Sequence, residues 1–167
     1  QNIIRMRKRL FLLLLAFISL CQMNAVERTK LNFNGGWLLK VGDFPGAEQA
    51  NYKDAGWKQI TLPRAFNEKE AFKVSIEHLS DTIMWYRKHF HIQEVGDRKY
   101  FIEFEGVRYG ADIWLNGKKV GYTENGVMAS GFDLTPYIIK GENVIAVRVD
   151  NSWNYRERTS GQRFQWN

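Results

Sequence analysis

One cysteine, Cys21, in 167 residues excludes an internal disulfide and a cysteine zinc cluster, so stability has to come from packing. Histidine is nearly as scarce, with only His78, His89 and His91. His89 and His91 are two residues apart, a spacing that can present two ring nitrogens on one strand face. His78 lies in a separate loop and no nearby carboxylate completes a ligand set, so a structural role is favoured and no metal or other cofactor is expected. No Gly-rich phosphate loop and no G-x-S-x-G nucleophile elbow occur, which leaves nucleotide-binding and serine hydrolase readings without support. The segment after Ala25 carries no sustained helical period, no internal repeat and no low-complexity linker.

Long apolar runs are also missing, with one exception. Arg5, Arg7, Lys8 and Arg9 precede an apolar run from Leu10 to Leu20, and a short polar stretch then reaches Ala25. This is the order of a secretory signal peptide, and the run falls short of the about 20 residues that a bilayer span takes. Residues 1–25 are therefore expected to be an upstream extension plus a signal peptide, and residues 26–167 a single exported domain, periplasmic or extracellular. Cys21 admits a lipoprotein alternative, although Leu20 stands where a small residue is usual; cleavage near Ala25 is favoured. No stable membrane span is expected. The formal charge of +6 also shrinks here, because removing those four cations from the 24 Lys and Arg leaves 20 against 18 Asp and Glu. With no run of basic residues interleaved with aromatics, nucleic acid is not an expected partner.

What the chain has in quantity is aromatic side chains: eleven Phe, seven Tyr and six Trp. They suit a β-sandwich core and also a carbohydrate-binding surface. The clearest local signal is GVRYGADIWLNGKKVG, Gly106 to Gly121. Ala111, Ile113 and Leu115 alternate with Asp112, Trp114 and Asn116, and Asn116-Gly117 supplies the two positive-φ positions of a type I′ turn. A hairpin is expected there, with the sheet built outward from it. Around it, Trp37 to Val41, Trp57 to Leu62, the stretch IMWYRKHFHI, Tyr100 to Phe104, Gly131 to Leu134 and Val144 to Asp150 read as strands. Gly42 to Gly56 reads as a loop, and Asn67 to Asp81 as a long loop with at most one helical turn. About eight strands with frequent turn signals predict an all-β sandwich.

Several of these stretches carry a resemblance. WLNGKKVG, preceded by FEGVRYGADI and followed by SGFDLTPYI and GENVIAVRVDNS, together with WKQITLPRAFN and WYRK, resembles the amino-terminal sugar-binding domain of glycoside hydrolase family 2. That family includes β-galactosidases, β-glucuronidases and β-mannosidases. The resemblance covers roughly Leu31 to Asn151 and implies a jelly-roll (galactose-binding-domain-like) topology. One departure stands out: the family usually has a polar residue two places after the proline of Leu-Pro, and this chain has Ala65.

Hydrolysis of a glycosidic bond normally needs two carboxyl groups about 5 to 5.5 Å apart for retention, or about 6.5 to 9.5 Å for inversion. Glu103 and Glu105 share a strand face but lie opposite Tyr100, Ile102 and Phe104, so they are expected to point to solvent. The resemblance places the catalytic glutamates in a downstream TIM barrel, for which this chain has no room, and no catalytic residue is expected within residues 1–167. The tail DNSWNYRERTSGQRFQWN mixes guanidinium forks with flat rings, which bind hydroxyls and carboxylates and stack on sugars. It is alternatively a solvated loop preceding the last strand of the sandwich. The family runs this loop toward the barrel's active site and then returns it as a strand, which implies Arg156, Arg158, Arg163, Trp166 and Asn167 as substrate-binding candidates. No closing strand is legible before Asn167, so the fold is expected to lack it. The function implied is that of a noncatalytic domain of an exported, β-galactosidase-like enzyme, with a β-glycoside, such as a galactoside, and the downstream domains as partners. A free-standing carbohydrate-binding module is the alternative.

Overall fold

The computed structural model describes residues 28–64, 82–108, 110–124 and 128–151. The chain divides into two compact units, Gln1–Asn32 and Phe33–Asn167. Of the first, residues 28–32 are described, exposed and without regular structure. Among its described residues the second holds eight strands in chain order: β1 (Trp37–Val41), β2 (Lys58–Ile60), β3 (Ile83–Ile92), β4 (Phe101–Phe104), β5 (Gly110–Leu115), β6 (Lys118–Thr123), β7 (Ser130–Asp133) and β8 (Gly141–Asp150). All pairing is antiparallel, in one six-stranded sheet ordered β2-β1-β3-β8-β5-β6 and one two-stranded sheet of β4 and β7. An all-β sandwich results.

The hairpin forms as its sequence predicts. Asn116 and Gly117 take φ of 54° and 79°, the two left-handed positions a type I′ turn requires. Asn116 does more than turn. Its Nδ2 donates to Tyr137 O at 3.0 Å and to Asn143 Oδ1 at 2.9 Å, while its Oδ1 accepts from Val144 N at 2.9 Å. The tip is thereby pinned to the start of β8. Yet the sheet is not built outward from this hairpin: β6 is an edge strand, and the centre is the pair β3 and β8, in register from Ile83 with Asp150 to Ile92 with Gly141. The reason is burial. Val144 to Val149 carries apolar residues at both parities, the mark of a strand covered on both faces, whereas β6 keeps exposed lysines.

Register explains which side chains meet. On the inner face, Leu39, Tyr86, Val147, Ile113 and Gly121 form one row across β1, β3, β8, β5 and β6, and Met84, Val149 and Ala111 lie in the next. Ile102, Phe104 and Phe132 of the small sheet pack into the same cluster. Phe132 lies so close over Gly121 that a Cβ there would meet its ring at 2.5 Å. Two sheets approach closely at that point because one residue has no side chain.

The outer face carries rows of a different chemistry. One runs Lys40, Trp85, Arg148, Asp112, Tyr122, and the other Leu38, Arg87, Ala146, Trp114, Lys119. The loop from Gly42 to Gly56 crosses it as a strap, and Ala47 and Trp57 bury against Trp85 and Ala146. Arg87, with no solvent exposure, holds the strap. Its Nε donates to Asp54 Oδ2 at 2.7 Å, and its Nη1 donates to the carbonyls of Ala47 and, at 3.0 Å, Gln49. Its guanidinium also lies 5.5 Å from the Tyr52 ring centroid.

Burial pushes the Asp54 carboxyl up, but the hydrogen bonds from Arg87 and His89 outweigh it and the net shift is down. A carboxyl lowered on folding contributes stability that is present above its unfolded pKa, near 4, and is lost as pH falls through the folded value. Asp54→Ala should therefore cost about 3 kcal/mol at neutral pH, since it strands a buried guanidinium, and should flatten the acid limb of the stability profile. Urea titrations across pH measure both effects. Gly121→Ala should cost about 1 to 3 kcal/mol by forcing the Phe132 ring aside, read as a lower urea midpoint at neutral pH.

Candidate functional site

The sequence-predicted binding residues Arg156, Arg158, Arg163, Trp166 and Asn167 lie outside the described residues. What the structure places is the point from which they depart. β8 ends at Asp150, opposite Gly110 of β5 and Ile83 of β3, and Asn151 N donates to Thr82 O at 3.0 Å. The tail therefore leaves from the same end of the main sheet where the outer face carries its densest polar cluster.

That cluster is organised by Arg148. Its Nε and Nη2 donate to Asp43 Oδ1 and Oδ2 at 3.0 and 2.8 Å, a two-pronged pair with the first residues of the strap, and its Nη1 lies 3.4 Å from Asp150 Oδ2. Trp85 Nε1 donates to the same Asp43 Oδ1 at 3.2 Å. The hydrogen bond from Arg148 is the main cause of a lowered Asp43 pKa, and Asp43 in turn raises that of Arg148. Such a cluster fixes position; it is not poised to give or take a proton near neutrality. Asp150, almost fully buried and the first residue of the tail segment, is thereby tied to the cluster.

Beyond the strap the outer face opens over β5 and β6. Trp114, half-buried, stacks on Trp85 with centroids 5.4 Å apart and planes at 25°. Tyr122 is 39% exposed and its hydroxyl donates to Glu124 Oε1 at 2.5 Å. Lys119 Nζ lies 6.0 Å from each of these two rings and 2.7 Å from Asp112 Oδ1. This arrangement presents flat apolar rings framed by hydrogen-bonding groups, the chemistry that suits a polyol.

The other candidates separate. Glu103 on β4 and Glu105 just beyond it are exposed, as expected. His89 and His91 share the outer face but take different partners: His89 Nε2 lies 2.8 Å from Asp54 Oδ2, and His91 Nδ1 lies 3.7 Å from Glu142. Among the described residues no group of three or more potential ligands could hold a metal, and no helix is long and apolar enough to cross a membrane. Sequence reading missed the Asp43–Arg148 pair, whose members are 105 residues apart. It also passed over Trp114 and Tyr122 as a pair. Their signal was legible: a ring two residues before an Asn-Gly turn and a second one in the returning strand.

Comparison with known proteins gives this geometry a context. Residues 26–167 match the family described as glycosyl hydrolase 2 galactose-binding domain-like. A β-glucuronidase of Formosa agariphila is 40% identical over 134 residues, 75% of this chain and 14% of that enzyme. β-Galactosidase BoGH2A of Bacteroides ovatus is 33% identical over 133 residues, 75% of this chain and 16% of that enzyme. Among solved structures, a β-glucuronidase from glycoside hydrolase family 2 superposes with a TM-score of 0.69 at 34% identity, over 80% of this chain and 16% of that one. The chain thus spans only 14% and 16% of the length of the two enzymes. It belongs to the glycosyl hydrolase 2 galactose-binding domain-like family, and its all-β sandwich is the jelly-roll domain found at the amino terminus of family 2 glycoside hydrolases.

Proposed function

We propose that this chain serves as the noncatalytic amino-terminal domain of an exported β-glycosidase of the β-galactosidase or β-glucuronidase kind, supporting a catalytic barrel and lending its tail to the substrate site. The observation that carries the reading is the coverage: three quarters of this chain aligns with a small fraction of enzymes many times its length. Two further features support it. The basic cluster and apolar run before Ala25 have the order of a signal peptide. In sequence, Arg156, Arg158, Arg163, Trp166 and Asn167 follow the anchored end of β8 within seventeen residues of Asp150.

The division of labour follows from entropy. Ordering a loop costs roughly 1 to 2 kcal/mol for each backbone residue fixed, which one or two stacking contacts cannot offset. A barrel packed beside the tail would supply the missing contacts.

The reading is tested on two levels. The chain alone should hydrolyse no aryl β-glycoside and bind monosaccharides no tighter than about millimolar; turnover that disappears in Glu103→Gln or Glu105→Gln would overturn it, and micromolar binding would favour a free-standing module. In a full-length enzyme, Arg163→Ala or Trp166→Ala should lower kcat/KM at least about tenfold, the equivalent of 1.4 kcal/mol, with an unchanged unfolding midpoint. Unchanged kinetics would reduce the tail to a connector. Export has its own readout: intact mass of the secreted chain should correspond to cleavage near Ala25, and a chain retaining Leu10 to Leu20 would sink that part.

A further inference from the structure

The open half of the outer face has no role in the tail-and-barrel reading. The strap covers the outer face over Trp85, Arg87 and Ala146 and, among the described residues, leaves Lys119 and Tyr122 exposed and Trp114 half-buried at its margin. From this we infer that the outer face of β5 and β6 is a second carbohydrate site, a platform on which a neutral, β-linked glycan chain stacks, separate from the tail. The inference rests on the proposed function only for the class of ligand.

Three observations lead to this occupant. First, the rings are fixed before any ligand arrives. Trp114 is backed by Trp85, whose indole N–H is held by Asp43, and the Tyr122 hydroxyl is held by Glu124. A platform on paired strands gives up little side-chain freedom on binding. Second, the rings sit on successive outer-face rows of neighbouring strands, Tyr122 beside Asp112 and Trp114 beside Lys119, so they lie about two strand residues apart, roughly 6.8 Å along the strand. That spreads the flat surface over more than one sugar ring and favours a chain over a monosaccharide. Third, the charges are already matched: Lys119 pairs with Asp112, and Arg148 with Asp43 and Asp150. An anionic polymer would have to break these pairs, whereas hydroxyl groups can share the remaining lone pairs of Asp112 and the remaining protons of Lys119.

The test uses the whole chain and a soluble β-1,4-galactan as probe, with affinity electrophoresis and tryptophan fluorescence as readouts. Galactan should retard the chain and change its fluorescence. Tyr122→Ala and Lys119→Ala alter exposed side chains and should weaken the retardation roughly tenfold and severalfold, with unchanged urea midpoints. Trp114→Ala should abolish it. If Trp114→Ala unfolds the chain, the two exposed variants decide the matter alone. Absence of retardation by galactan, or retardation unaffected by Tyr122→Ala, would overturn the platform. Binding lost in Trp166→Ala but kept in Tyr122→Ala would do the same while leaving the proposed function intact. Preferential binding of heparin or single-stranded DNA would overturn it in favour of an anionic partner.

Discussion

The structure depends on the requirement that its two central strands be covered on both faces. β3 and β8 pair over ten residues each, and Val144, Ile145, Ala146, Val147 and Val149 are all buried. One face is covered by the small sheet, through Ile102, Phe104 and Phe132. Among the described residues the other has no second sheet. It is covered by a strap of irregular chain, whose turns satisfy part of its backbone and leave the carbonyl of Ala47 in need of a side-chain donor. Arg87 resolves that difficulty by donating to two strap carbonyls while its charge is met by Asp54. A buried cation is costly by itself; here it takes the place of a hydrogen-bonded ladder.

The strap also determines what the domain can offer a ligand. Asp43 near its start ties Arg148 and Trp85, and Asp54 near its end ties Arg87 and His89. With both ends anchored, its edge over the outer face is fixed, so the boundary between covered and open sheet is fixed too. Trp114 falls on that boundary, stacked on Trp85 and half-buried. The same anchors hold Asp150 at the root of the tail. Rigidity at both places therefore has one source.

Local features of the fold were legible where a short stretch decides them. Asn116-Gly117 specified its turn, Trp37 to Val41 its strand, and the alternation from Ala111 to Leu115 its buried face, because each depends on backbone sterics or period-two burial within a few residues. The centre of the sheet was not legible in this way. Strand order depends on which strands find cover, and in Gly42 to Gly56 that cover reads as loop. Arg87 illustrates the point. In WYRKHF it alternates with Tyr86 and Phe90 and looks like the polar side of a strand, and only the strap's Asp54, Ala47 and Gln49, more than thirty residues away, make it the most buried cation of the described residues.

The same physics sorts aromatic residues that composition alone merges into one surplus. Rings such as Trp37 and Trp57 are buried and hold the two clusters together. Trp114 and Tyr122 stand on paired strands, and their geometry is set by the sandwich itself. The Arg and Trp residues of the tail follow the last described strand, and any geometry they acquire has to be supplied by what packs beside them. A contact on the sheet can act in the domain alone, at modest affinity and on extended chains. In the proposed function a contact in the tail would gain its strength from a neighbouring barrel. Under the proposed function the sheet would hold a polymer and the tail would complete a substrate site, and the strap fixes the rings of the first and Asp150 at the root of the second.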